Sequence, residues 1–162
     1  MHKQLSLLQQ QPIFGGIRED IVQFILDHST TKSVSIYNSY FKEGDQAHSM
    51  YIIELGSVVI LKEWKGHQFV LRHLQTGDCF GEMALMDMKV RSASAVAEVD
   101  SNAVEISADT LYALYKKDLE QFTMIQMNMG REVCRRLREM HSTLVEYQIE
   151  LDAHNGKRSF VE

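Results

Sequence analysis

Apolar residues follow a helical spacing at both ends of the chain and a strand-like spacing in between. Near the N-terminus, the leucine-rich residues 5–8 precede Pro12, which predicts a short helix that ends at the proline. Apolar positions between residues 17 and 28 recur three and four residues apart, behind an acidic start, and predict a second helix. We expect this second helix to dock on the segment that follows.

From residue 32 to residue 106 the pattern changes to short runs rich in β-branched and aromatic residues. Turn sequences such as Glu43-Gly44-Asp45 and Lys65-Gly66 separate the runs. The predicted strands are residues 33–37, 49–54, 57–63, 68–74, 92–99 and 103–106. Several short strands at this spacing predict an antiparallel sandwich or barrel.

Two capping sequences mark the start of helices in the last third of the chain. The polar residues 107–110 predict the N-terminus of a helix of about 10 residues. Asp118, with Gln121 three residues later, resembles a capping box and predicts a second start. The helix that begins there is predicted to run to about Glu150.

The second half of this long helix has apolar residues at alternating spacings of four and three, which is typical of a coiled-coil seam. The seam residues are Val133, Leu137, Met140, Leu144, Tyr147 and Leu151. Either the helix packs on the strands of its own chain or two chains pair helix to helix; we favour the parallel dimer. The polar residues 152–162 are expected to form a frayed tail.

Composition limits the class of protein. The chain has 162 residues, 44% of them hydrophobic, which suits one domain with an accessory element. Its net charge of -5 argues against a surface devoted to nucleic acid. We find no run of about 18 apolar residues and no signal peptide, so we predict a cytoplasmic protein without a membrane span. Cys79 and Cys134 predict no disulfide framework, which fits a reducing compartment.

Candidate ligand chemistry is concentrated in residues 80–97, which we call the cassette. Gly81 permits close backbone approach, and residues 83–85 can form one helical turn whose first amides suit an anion. Arg91 offers a planar fork of donors that matches phosphate oxygens. Glu82 repels phosphate and therefore needs a hydroxyl donor on the same ligand. A cyclic nucleotide carries both groups on one ribose.

The cassette resembles the phosphate-binding cassette of the cyclic-nucleotide-binding domain family, of the type found in catabolite activator proteins and kinase regulatory subunits. The family pattern is Phe-Gly-Glu-Leu/Met-Ala-Leu, a short gap, and Arg-X-Ala-X-X-X-Ala. The matching residues are Phe80, Gly81, Glu82, Met83, Ala84, Leu85, Arg91, Ala93 and Ala97. Val90 departs from the pattern, since a proline often precedes the arginine. Residues 41–45, 50–58 and 77–78 also follow the family, so the resemblance covers roughly residues 13–150.

The resemblance implies a role for each part of the site. Arg91 would pair with the cyclic phosphate, helped by the amides of Ala84 and Ser92 and by the Ser92 hydroxyl. Glu82 would accept a hydrogen bond from the ribose 2′-OH. The residues expected to contact the ligand are Phe80, Gly81, Glu82, Met83, Ala84, Arg91, Ser92 and Ala93, with Ile60 and Leu71 facing the base. A lid over the base is expected from Met140, His141 or Leu144 of the long helix.

The implied fold is mainly β with flanking helices: an antiparallel, jelly-roll-like β-roll with an N-terminal helix and a long C-terminal helix. We divide the chain into an N-terminal helical segment (1–31), the cyclic-nucleotide-binding β-roll (32–107), a helical lid and dimerisation helix (108–151), and a flexible tail (152–162).

The implied function is that of a cyclic-nucleotide sensor that signals to an unidentified protein by repositioning its C-terminal helix. We favour cyclic AMP over cyclic GMP, with Arg72 expected to point outward, away from the base. The eleven mostly polar residues after Leu151 are too few for a helix-turn-helix domain, so we predict no DNA binding. The arginine cluster at positions 131, 135, 136 and 138 is interpreted as a solvated helix face balanced by Glu132 and Glu139.

Two alternatives remain. A degenerate cassette could act as a nucleotide-independent protein scaffold, although the intact Glu82 and Arg91 argue against this. A cupin-like metalloenzyme would need a cluster of ligands, and His67 and His73, expected on one face of a strand, lack a third partner at suitable spacing. We therefore predict neither a metal site nor an enzyme.

Overall fold

Helices occupy both ends of the protein and strands its middle, as the hydrophobic pattern predicts. The computed structural model describes residues 2–154. Its helices are α1 (His2–Gln9), α2 (Glu19–Asp27), α3 (Met83–Asp87), α4 (Ala108–Lys117) and α5 (Leu119–His154), with a 3-10 helix at Pro12–Phe14. Its strands are β1 (Thr30–Val34), β2 (Ser39–Phe41), β3 (Ser49–Leu55), β4 (Ser57–Trp64), β5 (His67–Gln75), β6 (Cys79–Phe80), β7 (Ser94–Ala97) and β8 (Ser101–Ser107). No helix within the described range is long and apolar enough to cross a membrane.

The strands form two four-stranded sheets, in the orders β1-β8-β3-β6 and β2-β7-β4-β5. All strand pairs are antiparallel, so the predicted mainly β architecture with flanking helices is confirmed. One core cluster lies between the sheets and includes Tyr51, Val58 and Phe80. A second cluster joins the helices to the other face of the first sheet through residues such as Ile52 and Ile125. Alternation along β3 explains this division, because Tyr51 and Ile52 point to opposite faces.

The first strand lies earlier than the alternating residues 33–37 predict. β1 covers Thr30–Val34 and pairs with β8, from Thr30 opposite Glu105 to Val34 opposite Ser101. The chain then turns at Tyr37, which has a φ of 65° and is 80% exposed. The amide of Tyr37 donates to Ala97 O in this turn. Pairing with β8, which is distant in sequence, therefore determines where β1 lies. A local pattern of hydrophobic residues contains no information about such a partner.

The two predicted caps are present. Ser107 accepts a hydrogen bond from the Thr110 amide at the start of α4, and Asp118 accepts one from the Gln121 amide at the start of α5. The second cap is not reciprocal, because Gln121 Oε1 instead accepts from the Arg18 amide at 2.8 Å. That bond ties the beginning of α5 to the beginning of α2.

The long helix α5 has 36 residues and is about 54 Å long at 1.5 Å per residue. Its first half packs into the helical core through Ile125 and Met129. Residues 137–151 are all exposed. The helix continues to His154, so the frayed tail predicted from residue 152 is wrong for its first three residues; residues 155–162 of that prediction lie outside the described range.

Candidate functional site

The cassette lies where the two sheets meet, and backbone hydrogen bonds fix its arginine. Phe80 ends β6, which pairs with β3, and Gly81 follows with a φ of 80° before α3 begins. The Arg91 amide donates to Asp45 O at 2.9 Å, and the Gly44 amide donates to Arg91 O at 2.9 Å. The turn predicted at residues 43–45 thus holds the arginine from its backbone.

The Arg91 side chain is only 4% exposed. Its Nη1 donates to Gly81 O at 2.8 Å and its Nη2 donates to Ser49 O at 2.6 Å. Burial lowers the pKa of this guanidinium, because removal from water disfavours the charge. Its buried Nε has no hydrogen-bond partner within residues 2–154. The group is therefore fixed in position and retains unused donors.

Glu82 is even more deeply buried, at 1% exposure. Its Oε1 accepts a hydrogen bond from Arg136 Nη1 at 2.7 Å. Its Oε2 is buried without a hydrogen-bond partner in the described part of the chain. Buried polar atoms are seldom left unpaired, so both Glu82 and Arg91 have capacity for a ligand.

Arg136 links the cassette to α5 and is a site residue that the sequence interpretation missed. It donates to Glu82, to Glu132 Oε1 at 2.9 Å and to Cys79 O at 2.9 Å. Burial opposes its charge, but the nearby Glu82, Cys79 and Glu132 more than offset this and raise the pKa of Arg136. The interpretation of a solvated helix face is therefore wrong for Arg136 and for Glu132, which is 6% exposed.

A signal for this contact was present in the helix spacing. Ile125, Met129, Glu132 and Arg136 follow one another at intervals of four, three and four residues, so they share the face of α5 that packs on the protein body. Charge alone suggested a solvated face, whereas position on the buried face indicated a partner. Arg135, which bonds Glu132 and Glu139, does match the balanced charges expected of the exposed side.

The other predicted cassette residues divide into buried and exposed groups. Phe80, Ala84 and Ala93 are buried, and Phe80 stacks on Tyr51 with ring centroids 5.2 Å apart. Met83 and Ser92 are exposed. The structure therefore gives Phe80 and Ala93 a packing role beneath the site. Ligand contacts of Phe80, Met83, Ala84, Ser92 and Ala93 remain predictions.

A bulge shapes the surface expected to hold the base. Ile60 lies opposite Arg72 while Leu61 lies opposite Val70, so Leu71 is an extra residue in β5. Ile60 packs against the core between the sheets and Leu71 is 54% exposed. Directly opposed residues share a face of a sheet, so Arg72 shares the face of Ile60. Arg72 therefore does not lie on the outward face of the sheet, contrary to expectation, and its position relative to a base stays a prediction.

The same bulge separates the two histidines of the metalloenzyme alternative. His67 lies opposite Trp64 and His73 opposite Val59. Trp64 and Val59 are five residues apart in β4 and point to opposite faces, so His67 and His73 do too. The expectation that they share a face is wrong. Within residues 2–154 there is no group of three or more His, Cys, Asp or Glu side chains that could hold a metal ion.

The three candidate lid residues lie beyond Arg136, the α5 residue that bonds Glu82 of the cassette. Met140 is one helical turn after Arg136 and is 63% exposed, and Leu144 is 67% exposed. His141 is exposed as well. All three candidate lid residues are thus exposed in this structure, and the lid assignment stays a prediction.

A depression of about 570 Å³ lies elsewhere, on the outer face of the second sheet. Its lining includes Leu61, Ser94 and Val96 and none of the predicted ligand residues. These residues alternate with the inward-facing Ala95 and Ala97, so the depression faces away from the core between the sheets. Buried charge, rather than concavity, identifies the cassette as the candidate site.

Comparison with known proteins finds a matching domain family. A sequence profile described as the cyclic nucleotide-binding domain matches residues 39–118, which include β2 to β8 and the whole cassette. The chain belongs to the cyclic nucleotide-binding domain family.

Among curated proteins, the Cyclic AMP receptor protein of Thermus thermophilus is 29% identical over 133 residues, covering 82% of this chain and 60% of the relative. The cAMP-activated global transcriptional regulator Vfr of Pseudomonas aeruginosa is 32% identical over 115 residues, covering 68% and 50%. This chain therefore spans 50% to 60% of the length of these two relatives.

Solved structures show the same fold. The Thermus thermophilus Catabolite Activator Protein superposes with a TM-score of 0.74 at 28% identity, covering 86% of this chain and 64% of the other. A cyclic nucleotide-binding domain from Methylobacillus flagellatus superposes with a TM-score of 0.80 at 20% identity, covering 90% and 83%. The second likeness concerns the fold alone.

Proposed function

We propose that this protein is a sensor that binds a cyclic purine mononucleotide, with cyclic AMP as its ligand, and signals through α5. The observation that carries the proposal is the pair of buried charges in the cassette. Glu82 and Arg91 are 1% and 4% exposed, and each keeps an unpartnered polar atom in the described structure. A carboxylate and a guanidinium with free capacity suit a ribose hydroxyl and a phosphate.

In the bound state Arg91 pairs with the cyclic phosphate, while the amides of Ala84 and Ser92 add donors at its other oxygens. Glu82 accepts from the ribose 2′-OH through Oε2, since Oε1 is engaged by Arg136. A 2′-deoxy ligand leaves Oε2 unpaired and binds more weakly. Ile60 and Leu71 cover one face of the base.

Signalling follows from the position of Arg136. The same guanidinium contacts Glu82 in the cassette and Glu132 in α5, so a ligand at Glu82 acts directly on the helix. Binding favours the helix position in which Met140, His141 or Leu144 closes over the base. The ligand shifts the population only because it binds this closed state more tightly than the open one.

The exposed half of α5 supports a parallel homodimer. Leu137, Met140, Leu144, Tyr147 and Leu151 are each at least 50% exposed, although they form a regular apolar stripe. The exposed residues 137–151 gain little helical stability from packing within their own chain, so packing against a second stripe stabilises them. The downstream receiver is a further protein that recognises the closed helix position. A cytoplasmic location, where cyclic nucleotides are made, fits this role.

Cyclic GMP is a second candidate because Arg72 shares the face of Ile60. A guanidinium there can donate to a purine carbonyl, which guanine has and adenine lacks. The discriminating variant is Arg72→Leu. If Arg72 reads guanine, this change weakens cyclic GMP binding and leaves cyclic AMP binding unchanged. If cyclic AMP is the ligand, the wild-type protein binds it more tightly in direct competition.

Two other functions are weighed against the sensor. A nucleotide-independent scaffold predicts no cyclic nucleotide binding and no effect of changing Glu82. A cupin-like metalloenzyme predicts stoichiometric metal in the purified protein. The close relatives in sequence bear the names of cyclic AMP-dependent regulators, which supports a binding protein rather than an enzyme.

Isothermal titration of the purified protein with cyclic AMP, cyclic GMP and cyclic di-GMP tests the proposal. We expect saturable binding of a cyclic mononucleotide and at least tenfold weaker binding of its 2′-deoxy analogue. Absence of binding by all three ligands would refute the sensor function and favour the scaffold.

A further inference from the structure

The Arg91 guanidinium lies over an aromatic ring. Its Cζ is 4.0 Å from the ring centroid of Phe41 and 5.9 Å from that of Tyr51. A guanidinium over the face of an aromatic ring is attracted by the π-electrons, most strongly where water is excluded. Arg91 meets this condition, because it is 4% exposed.

Phe41 is itself held in place by neighbouring rings. Its centroid lies 5.9 Å from those of both Tyr51 and Phe80. Tyr51 and Phe80 stack on each other, and Tyr40 packs edge-on against Phe80 at 5.2 Å. Because Phe41 is the last residue of β2, backbone pairing with β7 fixes it as well. These four rings form an aromatic platform beneath the guanidinium.

Gly81 bounds the space around the Arg91 guanidinium on another side. A Cβ at this position would lie 2.7 Å from Arg91 Nη1 and 3.3 Å from Phe41 Cε1, so both groups fit only beside a glycine. The Gly81 carbonyl meanwhile accepts from the same Nη1. Arg91 is therefore confined between the ring of Phe41, the backbone at Gly81 and the carbonyl of Ser49.

We infer that Phe41 is a positioning residue for nucleotide binding that acts through Arg91 by fixing the plane of its guanidinium. The inference rests on the proposed role of Arg91 as the phosphate-binding group. Bidentate phosphate binding needs a planar fork in a defined orientation. Nη1 and Nη2 are each hydrogen-bonded to a carbonyl. The ring of Phe41 then sets the remaining freedom of the guanidinium plane, and so the direction of Nε–H and the other N–H bonds.

Titration with cyclic AMP and cyclic GMP tests this role in four proteins: wild type, Phe41→Leu, Phe41→Tyr and the control Phe24→Leu. Phe24 is a partly buried phenylalanine that packs on His28, away from the cassette. Loss of the ring face in Phe41→Leu should weaken binding by about 3- to 30-fold, the range expected for a partly to fully desolvated cation–π contact. Phe41→Tyr and Phe24→Leu should bind like wild type.

A double-mutant cycle separates this role from general packing. In an Arg91→Met background both the positive charge and the planar group are gone, so Phe41→Leu should weaken binding by less than about twofold further. An equal loss in both backgrounds, or wild-type affinity in Phe41→Leu, overturns the inference while leaving the sensor function intact. A wild-type protein that binds neither nucleotide overturns both. If Phe41→Leu does not fold, Phe41→Met, which keeps an apolar side chain of similar volume, takes its place with the same expected outcomes.

Discussion

Arg91 and Glu82 differ in how their charges are balanced. Glu82 has a cation at 2.7 Å in Arg136, whereas Arg91 is bonded to two neutral carbonyls and forms no ion pair within residues 2–154. A buried charge without a counter-charge is costly, and that cost is relieved by an anion. The cassette thus favours a ligand with its negative group at Arg91 and a neutral hydroxyl at Glu82.

Arg91→Ala should weaken cyclic nucleotide binding by about 30-fold to over 1,000-fold, which corresponds to the loss of roughly 2–5 kcal/mol. The phosphate would then face the cassette without its cation. Titration calorimetry of the folded variant measures the loss. Arg138→Ala, at an exposed position on α5, is the matched control and should bind normally. Unchanged affinity in Arg91→Ala would show that the phosphate site lies elsewhere.

The buried thiol of Cys79 should make the free energy of unfolding fall at alkaline pH. Its thiol is 4% exposed, and burial raises its pKa from 9.0 to about 11. The unfolded chain therefore loses this proton first as pH rises, and folding loses up to about 3 kcal/mol between pH 9 and pH 11. Tyr40 and Tyr51, whose pKa values burial also raises, add to the loss above pH 10.

Chemical denaturation at a series of pH values isolates the Cys79 contribution. Cys79→Ala should show a shallower fall in the free energy of unfolding between pH 9 and pH 11, whatever its stability at pH 7. Cys134→Ala, which removes an exposed thiol, should keep the wild-type slope. Identical slopes in all three proteins would contradict the assignment.

Among the helices and strands, the sequence pattern predicted those features that depend on residues nearby in sequence. Ser107 and Asp118 begin α4 and α5 as expected, because a cap needs only residues within one turn. The bulge at Leu71 and the position of β1 were not predicted, since each depends on a partner strand distant in sequence. A one-residue slip in β5 was enough to move Arg72 and the two histidines to unexpected faces.

The seam of α5 gives a prediction about assembly. Tyr147 and Leu151 belong to the apolar stripe, while Val145 and Ile149 are equally exposed on roughly the opposite face at 100° per residue. Replacing Tyr147 and Leu151 with Glu should convert the proposed dimer to a monomer, because facing carboxylates repel at the helix contact. Light scattering after gel filtration measures the mass.

The matched control for that experiment replaces Val145 and Ile149 with Glu and should remain dimeric. It carries the same added charge on the same helix, so it separates the seam from general helix destabilisation. Dissociation of both double variants, or of neither, would contradict a dimer built on the seam.

For the whole molecule, the cassette motif was sufficient to predict fold, family and the charged pair, because those residues are contiguous in sequence. Arg136 was not predicted, since it lies 54 residues beyond Glu82 and its role exists only once α5 docks. The sequence therefore predicts those site residues that lie close together along the chain. It does not predict those that come together only when two distant elements pack.

Ligand binding should stabilise the entire folded chain. A cyclic nucleotide at 100 times its Kd adds about 2.7 kcal/mol to the free energy of unfolding, because it binds the native state alone. Thermal unfolding should shift upwards with cyclic AMP and not with 5′-AMP at equal concentration, which controls for general phosphate effects. Equal shifts with both would point to nonspecific anion binding.

If α5 pairs two chains as proposed, its solvent-exposed distal half makes the concentration of the protein a second input beside the cyclic nucleotide. Residues 137–151 are helical and exposed along the single chain, and packing against a second stripe would stabilise them. A chain too dilute to pair would then have a less stable C-terminal half of α5, even with its ligand bound. In the proposed sensor, abundant protein and abundant cyclic nucleotide would therefore both be needed before the helix is ordered for a partner to recognise.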